Sequence, residues 1–126
     1  MIVEGFKRFM ARKRFALQAT CYDKKGRVLS VGENSYEKTS PIMYYFAVKV
    51  GMPCKQYWHA EGMALVRCKN KTPYRIVIER YTSDGNMALA APCPVCKEMI
   101  KAWGIRIVKY TTKNGWMEEV YESGRK

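Results

Sequence analysis

The stretch from Tyr74 to Thr111 constrains the fold more than any other part of the chain. Tyr74 to Tyr81 is a β-branched and aromatic run with Ile76, Val77 and Ile78 at its centre, and it reads as a strand. Pro94 to Trp103 reads as a helix, with Val95, Met99 and Ala102 on one face and Gly104 as its stop. Ile105 to Thr111 is a strand again. A strand, a helical crossover and a second strand in one sheet pair parallel, with a right-handed connection. Lys113-Asn114-Gly115 then gives a tight-turn signal and leaves no room for a helix, so Trp116 to Tyr121 must return antiparallel. The sheet is therefore mixed.

The earlier half supplies the rest of the sheet. Phe15 to Tyr22 alternates Phe15, Leu17, Ala19 and Cys21 with Ala16, Gln18, Thr20 and Tyr22. Asp23-Lys24-Lys25-Gly26 is a turn, and Arg27 to Gly32 completes a hairpin. Ser40-Pro41 opens a helix that runs to about Val50 and stops at Gly51. A further helix runs from near His59 to about Cys68, and the N-terminus reads as a short amphipathic helix from about Ile2 to Arg12. Five strands interleaved with helices predict a three-layer α/β/α fold in one domain over residues 1–126.

The formal net charge is +12, with a dense basic cluster at Lys7, Arg8, Arg12, Lys13 and Arg14. That balance favours anionic partners, among them nucleic acid and nucleotide phosphates. No apolar run is long enough to span a bilayer, and the N-terminus lacks the apolar core of a secretory signal. The five cysteines are an odd count, and only Cys93 and Cys96 have a paired spacing. Free thiols in a reducing compartment follow, with two reserved for a metal. A soluble cytoplasmic protein without a membrane partner is expected.

The chemistry-bearing residues fall in two short stretches, His59-Ala60-Glu61 and Pro92-Cys93-Pro94-Val95-Cys96. Hydrolysis of an exocyclic amine needs an activated water and a proton carrier. Zinc with three protein ligands and an open fourth position lowers the pKa of water from about 15.7 towards roughly 7. His59, the only histidine, together with Cys93 and Cys96 makes such a ligand set. All three sit at helix starts, where the helix dipole favours thiolates. Glu61 is placed to carry the proton.

Together these residues match the H-x-E…P-C-x-x-C signature of zinc deaminases. From about Phe15 to Tyr121 the chain resembles the cytidine/deoxycytidylate deaminase superfamily, in a small, phage-type form. The resemblance rests on Val31-Gly32-Glu33-Asn34, His59-Ala60-Glu61-Gly62-Met63-Ala64-Leu65 and Pro92-Cys93-Pro94-Val95-Cys96. It implies a five-stranded sheet flanked by helices and zinc on His59, Cys93 and Cys96, with Glu61 as proton shuttle. It also implies that Asn34 contacts a sugar, that the backbone at Ala60 holds the base carbonyl, and that the protein is a homo-oligomer. A histidine first ligand resembles deoxycytidylate, tRNA-adenosine and polynucleotide deaminases. The C-terminal hairpin resembles free-nucleoside deaminases and several toxin-like or phage-type members instead.

The expected activity is conversion of cytosine to uracil in a free nucleoside or nucleotide, deoxycytidine monophosphate first among them. Lys38 and Lys55 are candidates to neutralise its phosphate, and Tyr44, Tyr45, Tyr57 and Trp58 to stack on its base. The alternatives are a deaminase acting on cytosine or adenine within single-stranded DNA or RNA, a non-catalytic zinc module that binds nucleic acid, and a thiol oxidoreductase using Cys93 and Cys96. The zinc module leaves Glu61 without a role, and the oxidoreductase does not explain His59-Ala60-Glu61.

Overall fold

The computed structural model describes residues 15–34, 40–52 and 59–121. The expected helix over Ile2–Arg12, the basic cluster Lys7–Arg14, Lys38, Lys55, Tyr57 and Trp58 lie outside them. The elements run β1 (Phe15–Tyr22), β2 (Val28–Glu33), α1 (Pro41–Lys49), α2 (Ala60–Arg67), β3 (Arg75–Thr82), α3 (Pro94–Ala102), β4 (Ile107–Thr112) and β5 (Gly115–Val120). They form an α/β structure around one five-stranded mixed sheet in the order β2-β1-β3-β4-β5. The β3–β4 pair is parallel, with Ile76 opposite Val108 and Ile78 opposite Tyr110. β4 and β5 form the antiparallel hairpin that the short connection demanded, with Thr112 opposite Gly115.

One face of the sheet makes the core. Period-two alternation carries Ala19 and Cys21 of β1, Ile76 and Ile78 of β3, and Val108 of β4 to that face, all fully buried. The three helices supply the other side with Met43, Ala47, Leu65, Val95, Met99 and Ile100. The stripe of α3 differs in part from the periodicity reading: Cys96 and Ile100 join Val95 and Met99, while Ala102, in the last turn, is exposed. The helix turns that side towards α1 and α2, which it packs against. Among the described residues no helix is long and apolar enough to cross a membrane.

Two glycines set how closely the layers approach. A Cβ on Gly32 of β2 would collide with the backbone of α2 at Ala60 O and Ala64 N. A Cβ on Gly62 would run into Met43 Sδ of α1. β2 therefore lies directly against the first turns of α2. Ser30 Oγ, two residues earlier on the same face, donates a 2.6 Å hydrogen bond to Ala64 O and fixes the register.

Candidate metal centre and active site

Ser40 caps α1 in the ordinary way, its hydroxyl accepting from the Met43 N–H. The other two helices do not. His59 is the N-cap of α2 and Cys93 the N-cap of α3; both have extended backbones, and neither side chain caps its own helix. Those side chains face each other instead. His59 Nδ1 lies 3.2 Å from Cys96 Sγ and 3.5 Å from Cys93 Sγ. The three ligand atoms all fall within 4.8 Å of one another. A tetrahedral zinc with ordinary Zn–S and Zn–N bonds sets N···S edges of about 3.5 Å, so the donor set fits such an ion as it stands.

The sulfurs are unequal. Cys93 is brought down to about 3, chiefly by a hydrogen bond from Cys96 and, against its own burial, by His59. Cys96 is pushed well up by the same hydrogen bond, by burial and by the nearby Glu61. The pair carries one thiolate readily; a second beside it is costly, and a divalent cation offsets that cost. His59, Cys93 and Cys96 form the one such cluster among the described residues. Cys21 and Cys68 are not part of it. Cys68 Sγ lies 3.3 Å from Ser30 Oγ, at the opposite end of α2, and Cys21 interacts with that same pair. Cys54 lies outside the described residues.

Glu61, in the first turn of α2, is only 5% exposed. Burial pushes its carboxyl up to about 6, against the stabilising pull of its own backbone N–H and of His59. A carboxyl raised towards neutrality accepts a proton and returns it more readily than an ordinary carboxylate, as a general acid–base must. Asn34 lies just past β2, two residues beyond Gly32, and is buried. Its Oδ1 has no hydrogen-bond partner among the described residues. Ala60 is fully buried in the first turn of α2, where helix geometry leaves the backbone N–H without an intrahelical acceptor. Tyr44 and Tyr45 are on the exposed side of α1.

Sequence reasoning missed Thr111. This β4 residue is fully buried. Its Oγ1 accepts from the Arg80 N–H at 3.0 Å and donates to Ala88 O at 2.7 Å, while its carbonyl accepts from the Ala90 N–H at 2.9 Å. It thereby ties the segment leading to Cys93 onto β3 and β4. A buried threonine in a strand is a weak signal, because β-branched residues are common there for packing alone.

No family model matches the chain, and no curated protein matches it. Among solved structures, it is similar to a cytidine deaminase from Mycobacterium leprae, with 16% identity over 93% of this chain and 94% of that one and a TM-score of 0.48. A likeness at that level assigns neither substrate nor reaction.

Proposed function

We propose that the protein is a zinc-dependent hydrolytic deaminase that converts cytosine to uracil in a free nucleoside or nucleotide. The observation that carries this reading is the convergence of His59, Cys93 and Cys96 from two helix N-termini, with the buried carboxyl of Glu61 beside them. Bound there, zinc would supply Lewis acidity and a water activated at neutral pH. The chain's own residues do the rest. Glu61 takes a proton from the attacking water and delivers it to the ring nitrogen; it then takes the second proton from the hydroxyl now on the ring carbon and passes it to the amine, so that the carbonyl forms as the C–N bond breaks and ammonia leaves. Asn34 Oδ1, buried and unpartnered among the described residues, accepts from a sugar hydroxyl. The Ala60 N–H donates to the base carbonyl. A structural zinc module would have no use for a buried carboxyl at this position.

Purified protein with stoichiometric zinc is expected to release ammonia from deoxycytidine monophosphate. Cytidine, deoxycytidine, cytidine monophosphate and single-stranded oligonucleotides complete the screen. No ammonia from any free cytosine compound, together with turnover of oligonucleotides, would move the substrate to the polymer. No turnover of anything by zinc-loaded protein would end the deaminase reading.

A further inference from the structure

A concave surface lies at the end of the sheet away from the metal ligands. The β1–β2 turn and the segment between α2 and β3 enclose a cleft of about 800 Å³, lined by Lys24, Lys25, Arg27, Lys71, Tyr74 and the single carboxylate of Asp23, among others. β1 leaves the region of the metal ligands and ends here at Tyr22, opposite the start of β3. α2, eight residues and about 12 Å long, runs from that site towards the cleft and separates the two.

Hydrogen bonds hold both walls of the cleft. Asp23 Oδ1 accepts from the N–H groups of Lys25 and Arg27, each at 2.9 Å, and Oδ2 pairs with Arg27 Nε at 2.7 Å. The one acid of the cleft is thus spent on holding the turn. The facing segment is fixed by the Lys71 N–H on Cys68 O and by the Tyr74 N–H on Tyr22 O. Lys24, Lys25 and Lys71 are exposed and make no ion pair among the described residues. Lys24 and Lys25 belong to one wall and Lys71 to the other, and each alone is screened by solvent. They gain together only on a ligand whose charges repeat along its length, through the release of several counterions at once. Tyr74, half-buried, is in the same lining, and unpaired bases stack on aromatic side chains. A lipid surface would have no use for that ring in a recess.

We infer that this cleft docks the phosphodiester backbone of a single-stranded nucleic acid, with a base stacked on Tyr74, away from the proposed catalytic site. The inference does not rest on the deaminase reading. Fluorescence anisotropy with the full-length protein and a labelled single-stranded 20-mer, as DNA and as RNA, tests it across a salt series. The triple variant K24E/K25E/K71E is expected to bind at least about tenfold more weakly, and its salt slope to flatten by about two, given roughly 0.7 per phosphate contact on single strands. Tyr74→Leu should weaken binding while leaving the slope unchanged. Thermal melts check that each variant folds, and single Lys→Gln changes with smaller losses replace the triple variant if it does not. Glu61→Gln should bind the oligonucleotide like the parent, which separates this surface from the fate of the catalytic proposal. Parental affinity in the triple variant, with binding lost instead when Lys7, Arg8 and Arg12 are reversed, would overturn the inference. So would full displacement by millimolar inorganic phosphate at matched ionic strength, or binding to phosphatidylserine vesicles but to neither 20-mer.

Discussion

Glu61 and His59 are two residues apart, yet the proposed function gives them different tasks, and substitution separates them. Glu61→Gln keeps shape and burial but cannot exchange the proton. It is expected to retain zinc by elemental analysis while turnover falls at least about a hundredfold. His59→Ala should lose metal and turnover together. Near-parental turnover in Glu61→Gln would remove the carboxyl from the mechanism. These residues were legible in the sequence because their chemistry is unusual: one histidine in 126 residues, and a dithiol at a fixed spacing. Gly32 was legible only as part of a motif. Its physical reason, backbone of α2 where a Cβ would sit, is a contact between residues about thirty positions apart that no local pattern encodes. Gly32→Ala is expected to destabilise the fold by about 1–3 kcal/mol, the usual cost of overpacking, and a denaturant midpoint equal to the parent's would show that α2 can yield.

Elements followed the same division. The β4–β5 hairpin was readable from three residues, since Lys113-Asn114-Gly115 excludes any other connection, and the parallel β3–β4 pair from the helix between them. In the sequence Thr82-Ser83-Asp84-Gly85-Asn86 reads as a loop, and the order of the chain from there to Ala90 comes from β3 and β4. Thr111 ties it through Ala88 O and the Ala90 N–H, beside Arg80, which bonds the Ala88 N–H and Leu89 O. Thr111→Val preserves the side chain's shape but strands the Arg80 N–H and Ala88 O, at a cost of about 1–3 kcal/mol if they stay buried. The expected consequence is looser placement of Cys93 and weaker zinc retention against a competing chelator, with Thr111→Ser restoring it. Unchanged retention in the valine variant would make the tie structural only.

At the scale of the whole molecule, charge and topology keep the two ends of the sheet apart. The ends of β2 and β3 lie towards the metal ligands and Glu61, while the starts of β3 and β4 and the β1–β2 turn lie towards the basic cleft. The net charge of +12 favours anionic partners in general, but no sequence pattern puts Lys24 and Lys71 on facing walls, which depends on β1 pairing with β3. Of the aromatic residues read as candidates to stack on a base, Tyr44 and Tyr45 stand exposed on α1, and Tyr57 and Trp58 lie outside the described residues.

The solitary imidazole has a use in spectroscopy. A protein with one histidine gives one set of ring nitrogen resonances, so no assignment problem stands between the measurement and the site. His59 Nδ1 faces both sulfurs. The chemical shift of that nitrogen therefore reports tautomer, protonation and ligation at a single known address, and a titration with a spin-active divalent ion such as cadmium-113 would read the ligand shell from the metal's side of the same bond.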